Sequence, residues 1–243
     1  MARPRRTLNQ LVAELADDLD ASCSTGVMPS AVATVADETA LRTYLLDTFG
    51  VALPCMRVCQ DHVSPWEAFR MAYFAEAPVI VIKGSRGLAG KTYLLGLLAT
   101  VEAVLLKTDV TILGGSGRQS AQVHKAMAKF WAAPGAPRQL LAGEPGIMKT
   151  AFIAGNTVEA LPASQRSVRG PHPTRLLLDE VDELDLSILD AAMGQTLSAR
   201  GVPAQTVIAS THQHANGTFT EVLKRAAARG WPVLSWCLAP DSF

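Results

Sequence analysis

Short unbroken apolar runs alternate along the chain with longer stretches whose apolar residues return every three or four positions. The run at 79–82 (VIVI) is β-branched and continuous, which predicts a strand buried on both faces. Runs at 110–113, 175–178, 206–209 and 233–237 predict further core strands, and 150–154 with 157–161 predict a hairpin turning at Gly155-Asn156. Helical periodicity comes between them. Thr7 is placed to cap a helix carrying Leu8, Leu11, Val12, Leu15 and Leu19 on one face, and 22–35 reads as a small-residue linker. A second helix from about Asp37 presents Leu41, Tyr44, Leu45 and Phe49 and stops at Gly50. Others are predicted around Trp66–Phe74, over 92–106, from about Arg118 (inner face Val123, Met127 and Phe130 or Trp131) and over 219–229. The pattern divides the chain into a helical appendage, 1–50, and an α/β core, 51–243.

The sequence between the first strand and its helix carries candidate chemistry. In PVIVIKGSRGLAGKTYLL, glycines at 84, 87 and 90 precede Lys91 and Thr92. Glycines let backbone N–H groups turn onto phosphate oxygens, and a helix N-terminus adds its positive dipole end. Lys91 would hold the outer phosphates and the Thr92 hydroxyl would ligate magnesium. The spacing departs from G-x-x-x-x-G-K-[ST], because Ser85 stands where the first glycine belongs. Taken alone, the stretch also fits an ordinary glycine turn before a helix, the lesser of the two readings.

The strand at 175–178 runs straight into Asp179-Glu180, which supplies the expected second half of such a site. Asp179 would hold the metal, and Glu180 would take a proton from the water attacking the γ-phosphate. DEVDELD could otherwise be a solvated acidic turn. Ser210-Thr211 ends the strand at 206–209, at the sheet edge where ligands bind in such folds, though a plain turn has the same signature. Gln60, upstream of the glycine loop, could read an adenine edge through its paired donor and acceptor; a surface glutamine fits equally well. Cys55, Cys59 and His62 have a spacing that could begin a zinc site. No second ligand pair follows, so they are read as packed or surface side chains, and His212 and His214 as loop residues.

Composition narrows the function. Lys+Arg and Asp+Glu are both 22, so binding nucleic acid by bulk charge is not expected, although the balance is compatible with a local DNA contact. Four cysteines suggest reduced thiols in a cytosol. MARPRRTLNQ leads into no apolar signal core, and the 92–106 helix is shorter than the ~20 residues a bilayer needs and contains Glu102. Neither secretion nor membrane insertion is expected.

Taken in order, SRGLAGKT, LPASQRSVRG, LLLDEVDE and IASTHQHANGTFTEVLKRA resemble the large subunit of tailed-phage terminases, over roughly residues 55–240. The resemblance implies a P-loop NTPase fold: a mainly parallel sheet flanked by helices, with the Ser210-Thr211 strand between the P-loop and Asp-Glu strands. It implies Mg²⁺-dependent ATP hydrolysis that drives double-stranded DNA into a capsid in the host cytoplasm. By residue, it implies nucleotide contacts from Gln60, Ser85, Gly87, Gly90, Lys91, Thr92, Ser210 and Thr211, metal ligation by Thr92 and Asp179, and catalysis by Glu180 with Lys91. Ser85-Arg86 matches a serine–arginine pair frequent in the family's phosphate loop; Arg86 could serve catalysis in cis, and Arg118 is a candidate for a neighbouring subunit's site. Ser210 and Thr211 would form a coupling motif. Implied partners are the portal protein, the small terminase subunit and further copies of the chain in a ring. The family's nuclease domain would lie after this region, and nuclease activity is not expected of this chain. A helicase, marked by strand separation, and a nucleotide-dependent regulatory protein, marked by slow turnover that no DNA improves, are the alternatives.

Overall fold

The computed structural model describes residues 35–84, 90–164 and 167–237. The predicted first helix and linker, and loop residues 85–89, lie outside them. A compact unit begins at Val35. The helix that the sequence pattern places in the appendage, α1 (Glu38–Phe49), buries Leu41, Leu45 and Phe49 within this unit. Asp37 caps its first turn by accepting from Ala40 N at 2.8 Å, and the chain leaves at Gly50 in the left-handed region. Phe49 meets Phe130 edge-on at 5.9 Å.

Among the described residues, seven strands form one sheet: β1 (Val79–Lys83), β2 (Val110–Gly114), β3 (Lys149–Ala151), β4 (Thr157–Leu161), β5 (Arg175–Asp179), β6 (Gln205–Ser210) and β7 (Val233–Leu234). Their order across the sheet is β3-β4-β2-β5-β6-β1-β7; the β3–β4 pair is antiparallel and the other five pairs are parallel. β6 therefore separates β1 from β5, as the resemblance implies.

Alternation along each strand explains the layering, since successive side chains point to opposite faces. Val79, Val81, Leu176, Leu178 and Ile208 share one core with Leu189 of α5 (Leu186–Met193) and Phe219 and Val222 of α6 (Thr218–Arg229). On the other side, α3 (Lys91–Val101) packs against β5, α2 (Pro65–Tyr73) and α4 (Gly117–Phe130). Leu95, Leu97 and Leu98 of α3 are fully buried, each contributing roughly 1.5–3 kcal/mol. The sheet is thus covered on both faces, and its variable chemistry is confined to its two ends.

Four features depart from the sequence pattern. The apolar stretch at 92–106 is not one uniform helix; its last turn, Glu102–Leu106, is a π-helix. β3 stops at Ala151, because Asn156 turns inward and donates to Ala103 O (3.0 Å) and Thr108 O (3.1 Å). β7 has two residues instead of five, since the chain diverts at Ser235, whose carbonyl accepts from Val63 N at 2.9 Å. α5 had no counterpart in the pattern: its eight residues are too short to show a helical period clearly.

Candidate functional site

The C-terminal ends of β1, β5 and β6 converge beside the start of α3. β1 ends at Lys83, and α3 begins at Lys91 after Gly90, which sits at φ 65°, a conformation strained for side-chain-bearing residues. No side chain among the described residues caps α3. The first backbone N–H groups of such a helix carry the positive end of its dipole, which favours an anion.

Lys91 is only 5% exposed. Its Nζ donates to Thr211 Oγ1 (3.1 Å) and Gly84 O (3.4 Å) and lies 3.8 Å from Glu180 Oε1. One position on, Thr92 Oγ1 donates to Asp179 Oδ2 at 2.8 Å. Asp179 Oδ1 is buried with no hydrogen-bond partner among the described residues. Burial pushes the Asp179 carboxyl up to about 6; neighbouring Glu180 adds to the rise, while Thr92 and Lys91 oppose it. A buried carboxylate with an idle oxygen beside a hydroxyl suits a hard divalent cation, which takes oxygen ligands.

Glu180 adopts φ 52°, ψ 52°, a left-handed conformation costing roughly 1–2 kcal/mol for a residue with a side chain. This bend turns the chain off β5, and Glu180 Oε2 accepts from Thr211 N at 3.5 Å. The site thus has a cation and two carboxylates, with Thr211 bridging Lys91 and Glu180.

Ser210 and Thr211, adjacent at the end of β6, take different positions. Ser210 is fully buried, accepting from Asp182 N and donating to Thr211 O, both at 3.1 Å. Of the two, it is Thr211 that bonds Lys91 and Glu180. Gln60 is exposed in a turn, and Arg118 is exposed at the opening of α4. Ser85, Arg86 and Gly87 lie outside the described residues.

Asp182 was missed by the sequence reading. Its Oδ2 accepts from Gln213 N (2.7 Å) and His214 N (2.8 Å), and its Oδ1 from Phe219 N (3.1 Å). Burial opposes its ionisation, but these amides outweigh that and hold its carboxyl below the ordinary value. Gly217 makes the close approach possible: a Cβ there would stand 2.1 Å from Asp182 Oδ1. The turn after β6 is therefore tied to the turn after β5. An acidic residue three positions beyond Asp179 with a glycine in the later turn was the available signal, but it points to no partner by itself.

No model of a known protein family matches the sequence, and no curated protein matches it. Solved structures do. The large terminase of HK97 bacteriophage is 18% identical, with a TM-score of 0.59 over 85% of this chain and 45% of that one. The large terminase of a thermophilic bacteriophage is 14% identical, with a TM-score of 0.57 over 73% and 47%. A second structure of that thermophilic phage's terminase, in complex with ADP, gives 13% identity, a TM-score of 0.55 and the same coverage. At these identities the likeness is one of fold, shared with phage large terminases. The chain spans about half the length of the terminases it matches.

Proposed function

We propose that this chain is the ATP-hydrolysing part of a phage large terminase, converting hydrolysis into movement of double-stranded DNA toward a capsid. The observation that carries the reading is the convergence of Lys91, Thr92, Asp179, Glu180 and Thr211 at one sheet edge. The ADP bound by the thermophilic phage's terminase, which shares the fold, supports a nucleotide here. Phosphates would lie across the uncapped start of α3, with Gly87 and Gly90 allowing close backbone approach. Lys91 would exchange Thr211 and Gly84 for phosphate oxygens. Thr92 and Asp179 would hold Mg²⁺, which supplies charge neutralisation at the phosphates. Glu180 would orient a water and accept its proton. Ser85, Arg86 and Gln60 keep the roles implied by the resemblance: loop contact, charge in cis and adenine edge. Thr211, between Lys91 and Glu180, would sense the phosphate, while Ser210 and Asp182 would pass its loss to the turn before α6. Portal protein, small terminase subunit and sister chains in a ring are the partners this reading calls for, in the host cytoplasm.

The test is nucleotide binding and phosphate release measured together. Lys91→Ala should lose binding. Glu180→Gln should retain it and lose hydrolysis by about 10²–10⁴-fold, the usual worth of a general base. Normal turnover by Glu180→Gln would exclude it as the base. Hydrolysis indifferent to DNA and portal would favour a nucleotide-dependent regulator, and DNA-strand separation a helicase.

A further inference from the structure

Away from these residues, the fold brings Cys237 against Cys59 and His62, two side chains far from it in sequence. Cys59 and His62 close a turn, with His62 N donating to Cys59 O at 3.2 Å. Val63 N, one residue on, pairs with Ser235 O, and this contact draws in Cys237. Cys59 Sγ lies 3.2 Å from Cys237 Sγ, and His62 Nδ1 lies 3.2 Å from the same sulfur. All three ligand atoms fall within 4.8 Å of one another. The sequence reading found no further ligand near Cys59 and His62; the fold brings one, Cys237, from the far end of the described chain.

From the two thiols and one imidazole at this spacing, we propose that Cys59, His62 and Cys237 form a Zn²⁺ site. Tetrahedral zinc, with Zn–S of about 2.3 Å and Zn–N of about 2.0–2.1 Å, sets ligand atoms roughly 3.5–3.8 Å apart. The two 3.2 Å separations to the Cys237 sulfur reach that geometry by opening a few tenths of an ångström. Thiolate and imidazole ligands select zinc over the hard cation expected at Asp179. Three protein ligands leave one position for water. His62 and Cys237 also line a cavity of about 360 Å³ with Lys83, Gly84, Thr211 and His212. The metal would fasten the turn containing Gln60 to the segment after β7, at the border of the phosphate-loop flank. Cys55, exposed and outside the cluster, is not a ligand.

The chain purified under reducing conditions without chelator should carry one zinc, measured by elemental mass spectrometry. After metal removal, titration with Co²⁺ should give the visible and thiolate charge-transfer absorption of a tetrahedral site, saturating at one equivalent and displaced by Zn²⁺. Cys59→Ser and Cys237→Ser should lose that signal, and Cys55→Ser should keep it. The wild-type spectrum decides the matter even if a serine variant misfolds. Three results would overturn the proposal: no tetrahedral spectrum in the wild-type chain, metal retained by the Cys59→Ser/Cys237→Ser double variant, or a Cys59–Cys237 disulfide as the purified form. None of these readouts depends on nucleotide hydrolysis.

Discussion

β5 and β6 carry a buried polar cluster at each end, and the clusters differ in charge balance and backbone strain. At the amino end, Arg175 Nε lies 3.1 Å from Glu102 Oε1. The same guanidinium donates to Gln205 Oε1 (3.2 Å) and Tyr73 O (3.4 Å), and Gln205 Nε2 donates to Ala77 O (2.9 Å). One buried cation thus faces one carboxyl, with carbonyl oxygens from two further places in the chain around them. At the carboxyl end, Lys91 faces two carboxyl groups, Asp179 Oδ1 has no hydrogen-bond partner among the described residues, and Glu180 is in a strained conformation. The amino end stitches elements together through this ion pair, although both Glu102 carboxyl oxygens and Arg175 Nε have no hydrogen bond among the described residues. The carboxyl end differs in setting one cation against two carboxyl groups beside a strained residue, as expected where a ligand finishes the structure.

The contrast makes its sharpest demand on paired measurements. Asp179→Asn should reduce hydrolysis by about 10²-fold or more through lost metal-assisted charge stabilisation. Its urea midpoint should stay equal to or above that of the parent, because the substitution removes a carboxylate whose charge burial opposes. A large loss of stability would mean that both ends are structural.

Arg175→Met should do the reverse. Leaving Glu102 buried without its partner costs about 3–5 kcal/mol, measurable by denaturant unfolding. Nucleotide affinity of the folded fraction should be retained.

Gly217→Ala should cost about 1–3 kcal/mol, because the new methyl overlaps the Asp182 carboxylate. It should also impair DNA movement more than ATP binding. Equal loss of both would disconnect the turn before α6 from coupling.

The smallest effects are in pH, and the two ends should differ in sign. Burial raises Glu102 from 4.5 to about 7 against the pull of Arg175, so the folded chain binds this proton more tightly than the unfolded one. Its contribution to stability is present below about 4.5 and lost as pH rises through about 7; Glu102→Gln should remove that slope. Asp182 is held below its ordinary 3.8, so its contribution is present above that value and lost as pH falls through the lower folded one. Asp182→Asn should remove the acid-side slope. Thermal unfolding across pH checks both.

Much of the carboxyl end was readable because its parts are local in sequence. VIVIK followed by glycines, and LLLDE, each place a polar group at the end of a buried run, and the run itself fixes where the strand stops. The same locality made Asp37 and Gly50 readable as helix ends. What escaped depends on distant partners. Glu102 meets Arg175, Asp182 meets the turn around Gly217, and Cys237 meets Cys59, and none of these pairs shares a period or motif. The order β5-β6-β1 was anticipated through the family resemblance, since apolar runs alone do not rank themselves across a sheet.

The sheet's two outer strands have a consequence for crowding. β3 has three residues and β7 two, too few to template a continuing ladder of backbone hydrogen bonds. Many copies held close together would therefore have little tendency to zip edge to edge, and specific contacts between them would fall to side chains and loops.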